Sequence, residues 1–313
     1  MEINQNRTRS KWFFVPLKTM NINNNIEGLR SLSQIFSTAN FNKIVRKKDY
    51  VNTFERIKKH TTFSNSITNL ELLDNVYNEL LESYRSEYVY KNTLINKKLL
   101  KKYSLKNTIV LNEFKIGNSI ADFILLNGKA RVFEIKTELD GLEKLEKQIS
   151  DYYSFATDVY IVASSKHIEK LISLYNETKV GIIELTQKNS LKEIKPALSN
   201  IDLLDHSVIF KSLRKNEYIN ALKENSIQIP KVPNTLIFKE CFNLANDIDI
   251  VDFQKSAIKV LKKRNLKNPD LLKDKRVPSY LKHICYSLNL SKPEYEELNS
   301  FLNKPSNLCI SHI

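Results

Sequence analysis

Two apolar segments are joined by an Asn-Gly pair at residues 127–128, and charged side chains interrupt both of them. Asp122 lies in the first segment, and Glu134 and Lys136 lie in the second. Strands that are apolar on both faces are usually buried on both faces. A charge there is costly unless it is paired or binds a metal. This stretch therefore predicts a sheet that is covered on both sides and encloses a charged site.

Asp122 and Glu134 together have the chemistry of a divalent-cation site. Two adjacent carboxylates repel each other and shift each other's pKa. Mg²⁺ accepts a few carboxylate oxygens, keeps several waters and leaves room for a phosphate. Glu134 and Lys136 share a face because they are two residues apart on a strand. The lysine can therefore approach a water or a phosphate beside the metal, which is the equipment for metal-assisted attack of water on a phosphodiester.

The turn between the segments determines whether the two carboxylates meet. A two-residue turn would pair Asp122 with Phe133 and place the carboxylate on the wrong face. A three-residue loop at residues 127–129, with Gly128 in a left-handed bulge conformation, places Asp122 opposite Glu134. A slip of one residue reverses the face of every side chain. We predict the three-residue loop because it is the register that brings the two carboxylates together, as a metal site requires.

The same residues resemble a known superfamily. Asp122, eleven further residues and then Glu134-Ile135-Lys136 resemble the PD-(D/E)XK nuclease signature. Residues 148–152, QISDY, resemble the QxxxY motif that RecB-type and lambda-exonuclease-like members carry on the next helix.

The resemblance extends over residues from about 85 to 185. The sequence around the motif is also similar to an uncharacterised family of bacterial and phage proteins; the segments concerned are NEFKIGNSIAD, EIKTELD and LEKQISDYY. Ala121 stands where the signature has proline, a position at which members commonly vary. The resemblance therefore implies a phage, mobile-element or defence-associated setting.

The resemblance implies a role for each residue of the motif. Asp122 and Glu134 would hold Mg²⁺ or Mn²⁺, with help from the backbone carbonyl of Ile135. Lys136 would position or activate water. The remaining two motif residues would line the same cleft and contact the substrate strand or order the lysine; they are Gln148 and Tyr152. The implied fold is an α/β core with the order αβββαβ and a mixed sheet.

Further acids remain open as site residues. The resemblance implies an acid on the helix before the first strand, for which Glu87 is the candidate, with Glu79 and Glu82 as competitors. An ordinary surface pair between Glu87 and Lys91 is equally consistent with the spacing. Glu113, inside the first strand, faces either the cleft or solvent.

The net charge of +14 suits a polyanionic partner, and we expect nucleic acid, with DNA favoured. Lysine-rich composition with abundant Asn and Ile is also typical of an AT-rich genome, so the charge is permissive support. The candidate nucleic-acid-binding residues are Lys91, Lys262, Lys263 and Arg264.

The chain divides into three predicted regions: a helical N-terminal region (1–68), a nuclease-like core (69–196) and a helical C-terminal accessory region (197–313). The accessory region would clamp nucleic acid or bind a protein partner. Further predictions concern single elements. These are an irregular segment at residues 1–22, helices at 26–36 and 41–57, a polar break at 61–66, one long helix from Leu70 to about Lys102 capped by Asn69, strands at 108–116, 158–163 and 180–185, and a helix beginning near Asp140.

Other functional classes find little support in the sequence. The three cysteines are far apart with no CxxC pair, which argues against a zinc site and fits reduced thiols in a cytoplasm. We expect no signal peptide and no membrane span. None of the five histidines is read as a ligand or a general base.

The sequence thus predicts a Mg²⁺- or Mn²⁺-dependent nuclease, a hydrolase. One rival is a catalytically silent nucleic-acid-binding or assembly module on the same fold. A second is a nucleotide-processing enzyme on a similar core, although the chain has no glycine-rich phosphate loop.

Overall fold

The computed structural model describes residues 20–22, 25–63 and 67–310. The strands are β1 (Met20–Ile22), β2 (Thr61–Phe63), β3 (Ile109–Ile116), β4 (Ser119–Asn127), β5 (Lys129–Lys136), β6 (Asp158–Ser164), β7 (Gly181–Leu185) and β8 (Leu191–Lys195). The helices before the large sheet are α1 (Ile26–Ser33), α2 (Thr38–Asn42), α3 (Val51–His60), α4 (Asn69–Ser83), α5 (Glu87–Leu94) and α6 (Leu100–Lys102). Those that follow are α7 (Leu145–Tyr153), α8 (Ser165–Tyr175), α9 (His206–Lys211), α10 (Lys215–Glu224), α11 (Ile237–Asn246), α12 (Ile250–Leu261), α13 (Pro269–Lys273), α14 (Lys282–Leu288), α15 (Lys292–Asn303) and α16 (Ser306–Ile310).

A six-stranded mixed sheet in the order β3-β4-β5-β6-β7-β8 forms the centre of the α/β fold. The pairs β3–β4 and β4–β5 are antiparallel, and β5–β6 and β6–β7 are parallel. This agrees with the predicted succession of an antiparallel meander followed by strands joined across helices. The sequence analysis missed β8, which pairs antiparallel with β7, and the short antiparallel pair of β1 and β2.

The predicted register of the β4–β5 hairpin is confirmed. Leu126 pairs with Ala130, and Gly128 lies at the tip with φ +66°. The β4–β5 pairing ends at Phe123 and Phe133. Beyond that pair β4 continues beside β3, whereas β5 continues beside β6. The sheet therefore forks where the same register would bring Asp122 opposite Glu134.

Helices cover both faces of the sheet. One hydrophobic cluster joins the helices between residues 29 and 99 and those between 272 and 309 to sheet residues such as Phe123 and Phe133. The other joins α7 and helices between residues 206 and 261 to the opposite face, which includes Val132. Both clusters draw on more than one of the three predicted regions, and the boundaries at 68 and 196 stay a prediction. The hairpin segment is buried on both sides, as its apolar pattern predicted.

The single long helix predicted from Leu70 to about Lys102 is wrong. The chain breaks at residues 84–86, between α4 and α5, and becomes π-helical over Ile95–Leu99. Arg85, in the break, is buried and donates to the carbonyls of Leu185 and Thr186 at 3.2 and 2.9 Å. Tertiary hydrogen bonds at the end of β7 thus replace local helical bonds.

Two predicted helix starts are also wrong. Thr68, not Asn69, is the N-cap of α4, because its side chain and that of Glu71 form a reciprocal capping box. Asp140 caps no helix; its carboxylate accepts from the Thr137 N–H at 2.7 Å, and α7 begins at Leu145.

The predictions for the N-terminal region need correction in two places. The helix expected at 41–57 is divided into α2, a π-helical segment over Lys43–Lys47, and α3. The polar break expected at 61–66 begins with β2, and its remaining residues, 64–66, lie outside the described residues. Of the segment expected to be irregular, residues 1–19 lie outside the described residues and Met20–Ile22 forms β1. No helix in residues 25–63 or 67–310 has the length and apolar composition that crossing a membrane requires.

Candidate active site

The predicted site residues meet at the fork between β4 and β5. The Asp122 Oδ2 atom accepts a hydrogen bond from the Ile135 N–H at 2.8 Å. A side chain on one strand therefore replaces the backbone acceptor that continued pairing would supply. This contact holds Asp122 beside the segment that carries Glu134 and Lys136.

Glu134 is the centre of a hydrogen-bond network. Its Oε1 atom accepts from Lys136 Nζ at 2.9 Å and from Gln148 Nε2 at 2.6 Å. Its Oε2 atom accepts from the Tyr152 hydroxyl at 2.7 Å, which also lies 2.9 Å from the Ile120 carbonyl oxygen. Glu134 is only 2% exposed, so these donors replace the water that it loses on folding.

Gln148 orients the lysine as well as the carboxylate. The Gln148 Oε1 atom accepts from Lys136 Nζ at 3.0 Å while its amide donates to Glu134. Leu145 and Ile149 bury α7 against the sheet, and this packing presents Gln148 and Tyr152 to the fork. The structure thus brings all five predicted motif side chains together.

The turn between β3 and β4 also fixes α7 against the sheet. Ser119 Oγ donates to Asp151 Oδ2 at 2.6 Å. Gly117 has φ +58°, and a β-carbon there would lie 2.9 Å from Asp151 Oδ1. Glycine therefore permits both the left-handed turn and the close approach of α7.

The electrostatics of the site are those of crowded carboxylates. Burial, followed by the nearby charges of Glu134 and Glu87, raises the pKa of Asp122 to about 7, although the Ile135 hydrogen bond and Lys91 act in the opposite direction. Burial and the Glu134 carboxylate also raise the pKa of the Tyr152 hydroxyl, which therefore stays a donor. A cation near Asp122 would relieve this repulsion.

Lys91 joins two further acids to the site. Its Nζ atom lies 2.5 Å from Glu87 Oε1 and 3.5 Å from Glu113 Oε1. Burial lowers the pKa of Lys91, but the charges of Glu87, Asp122 and Glu113 outweigh that effect and the net shift is upward. The ion pair of Glu87 and Lys91 is therefore present. It is not an ordinary surface pair, because the lysine is buried among the acids of the site.

The competing acids on α4 lie elsewhere. Glu79 accepts a hydrogen bond from Ser83 Oγ at 2.6 Å, within α4, and Glu82 is exposed on the same helix. The structure therefore brings Glu87, and neither of its competitors, into contact with the residues around Asp122.

Glu113 has an unusual backbone in the middle of β3. Its φ of +52° is left-handed, which is uncommon for a residue with a β-carbon. Asn112 pairs with Phe123, and Phe114 pairs with Ala121, so the register puts Glu113 beside Asp122. The Glu113 side chain is 77% exposed, and it forms the outer end of the row of acids.

The oxygen atoms at the fork are the kind of hard ligand that Mg²⁺ and Mn²⁺ prefer. Asp122 and Glu134 would supply carboxylate oxygens, the Ile135 carbonyl a further oxygen, and water the rest. The observation that favours this fit is the closeness of the carboxylates: the pKa of Asp122 is raised first by burial and then by the charges of Glu134 and Glu87. In the part of the chain that the structure describes, no three His, Cys, Asp or Glu side chains are grouped to hold a metal by themselves.

The four predicted nucleic-acid-binding residues have different surroundings. Lys91 is buried in the site. Arg264 forms a bidentate pair with Glu217, at 2.6 Å for both contacts, and its guanidinium lies over the Phe114 ring. Lys262 is half-buried, and Lys263 is exposed with its Nζ atom 4.0 Å from a Glu224 oxygen. The structure thus separates four residues that sequence reasoning treated alike.

A family model described as bacteriophage P4 protein cII matches residues 81–282, which is more than half of the chain. The chain belongs to the bacteriophage P4 protein cII family. The cII-family span includes Glu87, every residue of the fork and the whole six-stranded sheet. Its name states no reaction.

Part of the chain is similar to protein cII of Enterobacteria phage P4. The two are 31% identical over 99 residues, a span that covers 31% of this chain and 37% of the phage protein. The chain therefore matches less than half the length of that relative. No solved structure matches this chain.

Proposed function

We propose that this protein is a metal-dependent nuclease of the PD-(D/E)XK type that hydrolyses phosphodiester bonds, with DNA as the favoured substrate. One observation carries the proposal: Lys136 is held by Glu134 and Gln148 in a network that adjoins the half-buried Asp122. A buried network of a lysine, two carboxylates and an amide is costly to build for stability alone. Its groups are those that phosphodiester hydrolysis requires.

Each residue of the fork has a distinct task in the proposed reaction. Asp122 and Glu134 present oxygens toward the same space, and their repulsion favours a cation there. Lys136, which Gln148 keeps in one orientation, stabilises negative charge that develops on a phosphate oxygen. Tyr152 holds the Glu134 carboxylate through its hydroxyl. When bound, Mg²⁺ or Mn²⁺ supplies Lewis-acid polarisation of the phosphate and lowers the pKa of water.

A silent module on the same fold is the second candidate. The specific observation that favours it is that both Glu134 oxygens already accept protein hydrogen bonds. A carboxylate has about four lone-pair sites, so in a nuclease a cation would take the remaining site on Oε2 or would displace one of these donors. In a silent module, the network has a structural role only.

A cleavage assay separates the two candidates. Wild-type protein, Asp122→Ala and Lys136→Ala are incubated with linear DNA, circular DNA and RNA, each with Mg²⁺ or Mn²⁺. The proposal expects metal-dependent cutting by wild type that both variants lose. Digestion of linear but not circular DNA would identify an exonuclease. No cutting by wild type on any substrate, together with no Mn²⁺ binding by calorimetry, would support the silent module.

A further inference from the structure

A cleft of about 590 Å³ runs along the outer side of β3, the edge strand of the sheet. Its floor is the strand itself, over residues 110–115. Its walls come from the segment between α9 and α10 and from residues near α12 and α14. The cationic side chains that line the cleft are Lys115, Lys211, Arg214 and Arg264.

A second cavity, of about 420 Å³, continues the first one past Glu113. The two cavities share Asn112, Glu113 and Ser287. The second cavity has no Lys or Arg in its lining; its polar residues besides the shared ones are Thr38, Asn42 and His283. We call the combined feature the edge groove, lined on one side of Glu113 by cations and on the other by neutral polar groups.

Three cations of the edge groove form no salt bridge within the described residues, although Arg214 adjoins Glu217, which accepts its backbone N–H at 2.7 Å. Lys115, Lys211 and Arg214 are exposed, and none of them forms a salt bridge with another described residue. Arg264 differs, because Glu217 neutralises it. Glu113, the acid in the groove, lies 3.5 Å from the Lys91 ammonium. The basic half therefore has an excess of positive charge, in which Lys115 and Lys211 have no acid beside them among the salt bridges of the described residues.

The edge groove leads into the site at the fork. Glu113 forms part of the groove and lies beside Asp122 in the β3–β4 register. Lys91 connects Glu113 to Glu87 on the inner side. A chain molecule that lay in the groove would pass the row of acids at its midpoint.

We infer that the edge groove binds the phosphate backbone of a nucleic-acid strand. Lys115, Lys211 and Arg214 contact phosphates on the basic side, since Lys and Arg are the usual phosphate partners. Asn42 and Ser287 offer hydrogen bonds to sugars or base edges on the other side. This inference rests on the proposed function, because it assigns the substrate path of the same site.

Binding without metal tests the inference apart from cleavage. The affinity of fluorescent 20-nucleotide single-stranded DNA, and of the matching duplex, is measured by anisotropy in EDTA for wild type and for the double variant Lys211→Ala/Arg214→Ala. The matched control is Lys273→Ala/Lys275→Ala, which removes the same charge from exposed positions outside the groove. Circular dichroism verifies that each variant is folded.

The inference expects at least tenfold weaker binding by the groove variant and less than twofold weaker binding by the control. The slope of log affinity against log salt should fall by about 1.4 for the two lost phosphate contacts on single strands. Tighter binding of the single strand or of the duplex would identify which form occupies the groove. Equal losses in both variants, or wild-type affinity in the groove variant, would overturn the inference.

Failure of the proposed function has a different signature. If wild type never cuts but the groove variant alone loses binding, the nuclease proposal fails and the groove remains a nucleic-acid site. If wild type cuts and the groove variant binds normally, the nuclease proposal stands and the groove assignment is wrong.

Discussion

Asp122 and Ile135 are joined across the fork of the sheet, where the Asp122 carboxylate accepts the Ile135 N–H at 2.8 Å. The contact satisfies a backbone donor that strand separation would otherwise leave without a partner on β4. It also fixes the half-buried Asp122 carboxyl group beside Glu134. One hydrogen bond thus compensates for the end of strand pairing and positions the carboxylate on which the proposed chemistry depends.

Asp122→Asn should stabilise the metal-free protein at pH 8 and have little effect at pH 4.5. The pKa of Asp122 rises from 3.8 to about 7 on folding, so the folded state binds a proton that the unfolded state releases between those values. The unfolding free energy of wild type therefore falls as the pH rises from about 4 to about 7. The gain at pH 8 is at most on the order of 4 kcal/mol.

Urea unfolding in EDTA at both pH values measures this effect, and the control is Glu169→Gln, an exposed acid on α8. Equal unfolding free energies for Asp122→Asn and wild type at pH 8 would mean that folding does not raise the pKa of Asp122.

Tyr152→Phe should lower the unfolding free energy by about 1–3 kcal/mol, because it leaves a buried carboxylate oxygen of Glu134 without its donor. The adjacent Tyr153→Phe is a matched control. The Tyr153 hydroxyl is buried and bonds to none of the described residues, so its removal should change stability by no more than about 0.5 kcal/mol. Equal effects of the two changes in urea unfolding would contradict the assigned network.

Glu113→Gly should be more stable than Glu113→Ala by about 1 kcal/mol, the reverse of the usual order inside a strand. The reason is the left-handed backbone at this position, with φ +52°. Both variants lose the carboxylate, so both should lose the same part of any cleavage activity. Thermal unfolding of the pair checks the backbone argument, which a more stable alanine variant would refute.

Arg264→Ala should lower the unfolding free energy by about 2 kcal/mol. In wild type the half-buried Glu217 accepts two hydrogen bonds from Arg264, and the change leaves this carboxylate without them. Affinity for single-stranded DNA should change by less than about threefold, because the paired guanidinium has little free charge to offer. A tenfold loss of affinity with unchanged stability would instead make Arg264 a direct phosphate contact.

The hairpin and its site could be predicted because their signals are local. The Asn-Gly pair marks the turn, and the expectation that Asp122 and Glu134 share a face then selects the three-residue loop. The helical spacing of Gln148 and Tyr152 is also local, so their meeting with Lys136 followed from the motif.

Features that depend on distant contacts escaped prediction. The break at Arg85 exists because its side chain reaches carbonyls a hundred residues away, at Leu185 and Thr186. Lys211 and Arg214 show no pattern that separates them from other cations in a chain of net charge +14. Only the tertiary fold, which places the α9–α10 segment and β3 around one cleft, brings them to the groove.

The most direct test of the account is the rate of DNA cleavage by wild type and by Glu134→Gln, purified identically and supplied with Mn²⁺. Glu146→Gln is the control, since this acid is exposed on α7 close to the site in sequence. The account predicts metal-dependent cleavage by wild type and by Glu146→Gln, and a rate at least about 100-fold lower for Glu134→Gln. Equal rates for wild type and Glu134→Gln would contradict it, as would the absence of cleavage by wild type.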